Sequence, residues 1–204
     1  MNKIHSTLFI VVVIVLLWSA IRPASYTSWL AEVGPAVVIM IILLITYSKF
    51  RFTTLSYCII AFLSILTFIG GHYTYAEVPF FNWLKEEFHL QRNHYDRFGH
   101  FFKGLIAIVF REILLHFTPL KQGAWLSTIS VSMVLAVAAL YEIIEWLSTK
   151  VTTQSKTSKD VLGMQGDKWD AQWDMALAFL GAVLATLLLS HLHNRILQKR
   201  NRIK

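Results

Sequence analysis

Apolar runs of about 20 residues recur along the whole chain, and this feature limits the possible fold more than any other. A helix that crosses a bilayer keeps roughly 20 mainly apolar residues in the hydrocarbon, because its backbone groups find no water there and must pair internally. Six runs fit this length, and they predict spans at Ile4 to Ile21, Trp29 to Tyr47, Thr54 to Gly71, Phe98 to Phe117, Trp125 to Leu147 and Ala171 to Leu192. We therefore expect an all-α, polytopic protein with six transmembrane helices in one integral-membrane domain, residues 1–204.

The composition favours the same class of protein. Hydrophobic residues make up 55% of the chain and charged residues only 15%, a balance that is unusual for a soluble domain. Cys58 is the single cysteine, which excludes an intramolecular disulfide and a cysteine-based metal site. Lys3 before an apolar run is also typical of a signal peptide, but Arg22 and Pro23 stand where a cleavage stretch needs small residues. The run is therefore predicted to be the first span.

The basic residues predict an orientation. A net charge of +7 in a membrane protein is typical of cytoplasmic loops, and we expect no nucleic-acid partner. Lys49 and Arg51 lie between spans two and three, and a basic tail follows span six. Positively charged loops stay inside. Both termini are thus predicted to be cytoplasmic, in a multi-pass protein of a bacterial inner membrane whose main partner is the lipid bilayer.

The segment between spans three and four is predicted to contain a short interfacial helix. Pro79 is followed by Phe80, Phe81, Leu84 and Phe88, whose spacing places apolar groups on one helical face. The charged residues between them fall on another face. This pattern is typical of a helix that lies in the membrane surface.

Ionisable residues gather near the predicted outer ends of spans three to six. Asp96, His100 and Lys103 are spaced i, i+4 and i+7, so they share one helical face. Charged groups at membrane depth are costly and normally face the bundle interior, paired with one another. We expect an outward-facing polar pocket formed by His72, Asp96, His100, Glu142, Glu145, Asp170 and Asp174.

Four strings within these segments resemble a known family. They are Gly70 to Tyr75, Arg92 to Phe101, Tyr141 to Trp146 and Leu162 to Met175. Together they are similar to the YjdF family of uncharacterised bacterial inner-membrane proteins, and the likeness covers nearly the whole chain. The resemblance implies a multi-pass inner-membrane protein whose biochemical role is not established.

A looser likeness is to VanZ-like membrane proteins, which are associated with glycopeptide resistance. In that family a histidine-bearing helix start, a glutamate-bearing helix and an aspartate followed by Gly-Ala recur in this order. Gly99 to Phe101, the pair Glu142 and Glu145, and Asp174 followed by Gly181-Ala182 resemble those parts.

The polar residues leave several functions open. They form a structural network if Arg97, Lys103 and the histidines neutralise the carboxylates. They form an enzyme site if a divalent metal or a general acid and base acts on a lipid-linked or envelope substrate. They form a small transporter or proton-coupled carrier if they relay protons. An assembly protein that binds a partner through its outer helix is a further alternative.

The metal alternative has specific candidate ligands, which are His100, Glu142, Glu145 and Asp174. Histidine and carboxylate ligands suit zinc, manganese or magnesium. No HExxH string is present to fix a geometry, so the catalytic residues and the oligomeric state stay open.

Two further features have simpler interpretations. Asp167 is predicted to cap the sixth span, with Asp170 in its first turn. Arg111 and Glu112 interrupt span four near its inner end, where we expect the arginine to extend towards the cytoplasmic interface beside the glutamate.

Overall fold

The protein is a bundle of helices. The computed structural model describes residues 2–151 and 165–202, with the backbone alone at 148–151 and 201–202. Every regular element in these ranges is a helix, which confirms the all-α prediction. The helices are α1 (Lys3–Ser19), α2 (Tyr26–Thr46), α3 (Thr54–Tyr73), α4 (Pro79–Glu87), α5 (Tyr95–Lys103), α6 (Ile106–Phe117), α7 (Ala124–Val151) and α8 (Asp170–Arg202).

Short polar side chains fix where the first three helices begin. Asn2, Ser25 and Thr53 each precede a helix, and their side-chain oxygens accept a backbone N–H from its first turn. Such caps satisfy donors that have no partner inside the helix. Pro79 begins α4, where its missing N–H costs nothing. α3 ends at Thr74, which adopts a left-handed conformation with a φ of 61°.

The bundle has two chemically different ends. At one, which we call the terminal end, the Asn2 backbone N–H donates to the Tyr47 hydroxyl at 3.2 Å, and Arg200 donates to the Arg51 carbonyl at 2.8 Å. At the other, which we call the acidic end, the Ala24 backbone N–H donates to the His72 carbonyl at 2.9 Å. These bonds show that α1 and α3 run parallel to each other and antiparallel to α2 and α8.

α3 joins two groups of helices. It packs against α1 and α2 on one side and against α5 and α6 on the other, while α8 packs against α5, α6 and α7. Phe68 in the first group and Ile108 in the second are fully buried. Large apolar side chains are also exposed on the outer surface, for example Ile45, Leu187 and Leu188, each more than 70% exposed. Such a surface is stable when lipid covers it.

Four helices in the described residues are long and apolar enough to cross a membrane. They are α2, α3, residues Ala124–Leu147 of α7 and residues Asp170–Arg200 of α8. α1 is also apolar but has only 17 residues, which extend about 25 Å. These helices confirm the membrane class that the apolar runs predicted.

The prediction of one helix from Phe98 to Phe117 is wrong. The structure has two helices there, α5 and α6, separated at Gly104 and Leu105. The backbone N–H groups of these two residues donate to the carbonyls three residues earlier, which tightens the chain into a 3₁₀-type turn. The break between the two helices coincides with close packing against α8. A Cβ atom at Gly104 would lie 2.3 Å from the Ala182 nitrogen, so a larger residue does not fit there.

The short helix predicted between spans three and four is present as α4. Phe80, Trp83 and Phe88 are each more than half exposed, although all three are large and apolar. This leaves an apolar face at the acidic end of the bundle, next to the candidate site.

Candidate functional site

Three helices bring ionisable side chains together at the acidic end. α5 supplies Asp96 and His100, and α8 supplies Asp174; one ligand atom of each lies within 4.8 Å of the others. α7 adds Glu142, whose Oε1 lies 3.8 Å from His100 Nε2, the same atom that lies 3.6 Å from Asp96 Oδ1. Glu145, one turn further along α7, is within electrostatic range of Asp96 and Glu142. We call these five residues the acidic cluster.

The acidic cluster is buried and incompletely paired. His100 and Asp174 are each 2% exposed, and Asp96 and Glu142 are below a tenth. His100 Nδ1, Glu142 Oε1 and Asp174 Oδ1 have no hydrogen-bond partner within the described ranges. Buried polar atoms are nearly always satisfied by protein, water or a ligand. Three such atoms in one cluster therefore point to a further binding partner.

Lys103 is the basic side chain closest to the acidic cluster. Its Nζ lies 3.1 Å from His100 Nε2, 4.9 Å from the centre of the Tyr141 ring and 5.7 Å from that of Tyr75. An ammonium group donates hydrogen bonds and accepts none, so Lys103 and a cation would compete for the same imidazole lone pair of His100. Aromatic rings attract a cation at these distances.

Sequence reasoning missed Glu32, a carboxylate in α2 that belongs beside the acidic cluster. The Tyr141 hydroxyl donates a hydrogen bond to Glu32 Oε2, and Asp96 and Glu145 are within electrostatic range of Glu32. The available signal was a lone carboxylate in an otherwise apolar span, which is costly without a partner.

Two arginines neutralise the aspartates at the edge of this region. Arg92 pairs with Asp170 and Arg97 pairs with Asp167, and each arginine also lies 3.8 Å from the other aspartate. Asp167 accepts the Trp169 backbone N–H in a turn just before α8, so it does not cap the helix, as was predicted, because α8 begins at Asp170. This hydrogen bond, together with Arg97, holds the pKa of the Asp167 carboxyl below its usual range. Asp170, which we predicted to line the polar pocket, therefore lies at the edge of the acidic cluster, where Arg92 compensates its charge.

Among the described residues of this region, acidic side chains outnumber basic ones. The basic side chains are those of Arg92, Arg97 and Lys103, with Lys168 exposed beside Asp167. The carboxylates are Glu32, Asp96, Glu142, Glu145, Asp167, Asp170 and Asp174. A buried excess of negative charge is stable only if protons or a bound cation balance it.

His72 does not join the acidic cluster, which corrects the prediction. Its Nδ1 lies 3.0 Å from the Ser19 carbonyl oxygen at the end of α1, and its ring stacks on Trp18 with centroids 4.5 Å apart. It lies at the acidic end of the bundle, but its side chain packs on the α1 side of α3.

The residues present suit a divalent metal. Ligand atoms about 2.1 Å from one ion lie roughly 3 to 4 Å apart, so a set within 4.8 Å needs a contraction of only about 1 Å. Two of the predicted ligands, His100 and Asp174, are in this set, and Asp96 completes it. Glu142 and Glu145 lie beside this set, and they stay candidate ligands or acid–base groups. One imidazole with carboxylates suits zinc or manganese.

A second polar group of residues lies at the terminal end, around Glu112. Its Oε1 accepts the Thr53 backbone N–H at 2.8 Å and Arg200 Nη1 at 2.9 Å. Its Oε2 accepts the hydroxyls of Thr53 and Ser56 at 2.8 and 2.6 Å, and His193 Nε2 lies 3.3 Å away. These donors tie the start of α3 and the end of α8 to α6. We call this group the Glu112 clamp.

The expectation that Arg111 extends to the membrane interface is wrong. Arg111 is 2% exposed, and its Nη2 donates to Asn194 Oδ1 in α8 at 2.7 Å. Arg111 therefore contributes to the contact between α6 and α8.

Comparisons with known proteins agree with the structure. Residues 4–195 match a family of predicted membrane proteins, DUF2238. The chain is 36% identical over 197 residues to the inner membrane protein YjdF of Escherichia coli strain K12, covering 96% of this chain and 93% of that protein. No solved structure matches the chain. The resemblance to the YjdF family is thereby confirmed, and this membrane protein belongs to the DUF2238 family of predicted membrane proteins.

Proposed function

We propose that this protein is a metal-dependent enzyme of the inner membrane, with a divalent-cation site in the acidic cluster. The observation that carries the proposal is the set of three buried atoms on His100, Glu142 and Asp174 that have no hydrogen-bond partner among the described residues. Asp96, His100 and Asp174 hold the cation, which supplies a Lewis acid and an activated water when bound. Glu142 and Glu145 are placed to move protons at the same site.

The proposal includes six spans with both termini in the cytoplasm. α1 and the α5–α6 pair are the two spans beyond the four longest helices. In this orientation the acidic end faces the periplasm, and the exposed aromatic face of α4 lies in the outer interface. A lipid-linked molecule of the outer leaflet is then the class of substrate that reaches the site, with its lipid tail kept in the bilayer beside the protein.

Close packing below the acidic cluster favours an enzyme over a transporter. Ala178 and Ala182 follow Asp174 on the buried face of α8 and are 0–1% exposed. A Cβ atom at Gly181 would lie 1.9 Å from the Phe101 carbonyl oxygen, so the backbones of α5 and α8 touch there. This tight contact lies between the acidic cluster and the Glu112 clamp. A polar cluster that is closed off from the terminal end fits catalysis on one leaflet better than transport across the bilayer.

The metal content of the detergent-purified protein tests the proposal. After loading with Zn²⁺ or Mn²⁺ and desalting, we expect one ion per chain by mass spectrometry. The double variant His100→Ala, Asp174→Asn loses affinity by more than about 100-fold, since even outer partners of metal ligands contribute about 10- to 100-fold. His94→Ala, at the start of α5 and outside the ligand set, is the matched control and keeps the ion.

Lys103→Met separates the metal site from a purely structural network. If a cation binds, removing the neighbouring ammonium raises the cation's affinity by at least about 10-fold, because an ammonium and a divalent cation about 4 Å apart repel by about 2 kcal/mol even in water. If the network is structural, the variant binds no metal and unfolds at a markedly lower temperature than the wild type. That second result, with no ion in the wild type, would contradict the metal site.

Cysteine labelling tests the orientation. In a Cys58→Ser background we expect a membrane-impermeant maleimide to label Glu86→Cys in α4 on intact spheroplasts, whereas Lys49→Cys reacts only after the membrane is opened. Both positions are exposed, so access to the reagent decides the result. The reverse labelling pattern would show that the acidic end faces the cytoplasm.

A further inference from the structure

An apolar groove opens at the terminal end, far from the acidic cluster. It encloses about 500 Å³ between α1, α2 and α3, counting the space at its mouth. Its walls are apolar, with Phe9 from α1, Met40 and Leu44 from α2, and Ala61 from α3. A groove of this kind in a membrane bundle is filled by lipid hydrocarbon, since a bilayer leaves no apolar surface empty.

Polar side chains surround one end of the groove. His5 lies 2.9 Å from the Tyr47 hydroxyl through Nδ1 and 3.0 Å from Thr54 Oγ1 through Nε2. Tyr57 also lines the groove, and its hydroxyl is buried. A hydroxyl at the end of an apolar groove suits the ester or phosphate oxygens of a lipid.

The charge around this mouth is positive. The Arg51 guanidinium lies 5.0 Å from the centre of the Tyr47 ring, and its Nε donates to the Tyr47 carbonyl at 3.3 Å. Lys49 and Lys3 are exposed beside Tyr47 and Asn2, which are hydrogen-bonded to each other. Among the described residues at the terminal end, Glu112 supplies the carboxylate. It is buried, and its negative charge is taken up by hydrogen bonds from Thr53 and Arg200. The mouth is therefore complementary to an anion.

We propose that this groove holds an acyl chain of an anionic phospholipid, with the headgroup bound by Arg51, Lys49 and Lys3. Anionic lipids are attracted by about 1 kcal/mol for each basic residue near the surface. The apolar walls supply the site for the chain, and the basic mouth selects the headgroup. The site is independent of the cation site and needs no assumption about catalysis.

Native mass spectrometry of the full chain in detergent tests the headgroup part of the proposal. Phosphatidylglycerol and phosphatidylcholine with identical acyl chains are added separately to the protein. We expect one phosphatidylglycerol to stay bound with at least about 10-fold higher affinity than phosphatidylcholine. The double variant Lys49→Ala, Arg51→Ala weakens phosphatidylglycerol binding by about 30-fold and leaves phosphatidylcholine unchanged. The matched control Arg22→Ala, Lys168→Ala removes two exposed charges at the acidic end, away from the groove, and has no such effect.

A second variant tests the acyl chain. Ala61→Phe fills the groove from α3, and we expect it to reduce the retention of both lipids while the α8 contacts are unaffected. Leu44→Trp narrows the same groove from its exposed side and gives an independent result if Ala61→Phe folds poorly. Equal binding of the two lipids, or unchanged phosphatidylglycerol binding in the Lys49→Ala, Arg51→Ala variant, would overturn the proposal.

Discussion

Replacing Gly181 or Gly104 with alanine is expected to destabilise the protein by more than about 3 kcal/mol. The new Cβ atom at Gly181 would lie 1.9 Å from the Phe101 carbonyl oxygen, and that at Gly104 would lie 2.3 Å from the Ala182 nitrogen. Both contacts are with backbone, so a side-chain rotation cannot relieve them and α5 must move away from α8. Unfolding in a denaturing-detergent titration, followed by tryptophan fluorescence, measures the loss.

Gly34→Ala is the matched control for these substitutions. Gly34 lies in α2, and a Cβ atom there meets no atom within 4 Å. Alanine is a better helix former than glycine by about 1 kcal/mol, so stability should be unchanged or slightly higher. If Gly181→Ala behaved like Gly34→Ala, the close contact between α5 and α8 would be excluded.

Replacing Glu112 with alanine is expected to reduce the free energy of unfolding by about 3–5 kcal/mol. The carboxylate is 1% exposed and accepts hydrogen bonds on both oxygens from α3 and α8. Its removal leaves the fully buried His193 and the Thr53 N–H without their acceptor, in a place that water does not reach. The same unfolding titration measures the effect.

Two further variants define what the carboxylate does in the Glu112 clamp. Glu112→Gln keeps one acceptor oxygen but places an amide group opposite several donors, so we expect an intermediate loss. Glu86→Ala removes an exposed carboxylate from α4 and should change stability by less than about 0.5 kcal/mol. A wild-type unfolding curve for Glu112→Ala would contradict the clamp.

Hydropathy predicted the positions of most helices, because a helix that crosses a membrane must be apolar along the part that lies in the hydrocarbon. The starts of α3, α7 and α8 were predicted within one residue, since apolar residues must begin where the hydrocarbon begins. The end of α8 was predicted at Leu192, but the helix continues through a basic segment to Arg202. Helical hydrogen bonds are local and persist in water, so loss of apolar residues marks the membrane boundary and not the helix end.

Features that depend on contact between helices could not be predicted from one helix at a time. Gly104 looked like an ordinary residue of a span, and its turn follows from the approach of Gly181 some 77 positions later. His72 lies at the same end of the bundle as the acidic cluster, but position along a helix does not specify which side of the helix faces which neighbour. Asp96, His100 and Asp174 were found because their spacing placed each of them on the buried face of its own helix.

The role of α8 has a consequence for how the protein is made. Asp174 completes the acidic cluster, Asp170 neutralises Arg92, and His193 and Arg200 complete the Glu112 clamp. Of the described helices, α8 is the last to leave the ribosome. Until it inserts, these contacts at both ends of the bundle cannot form. The earlier helices are therefore expected to reach their stable packing only after α8 has entered the membrane.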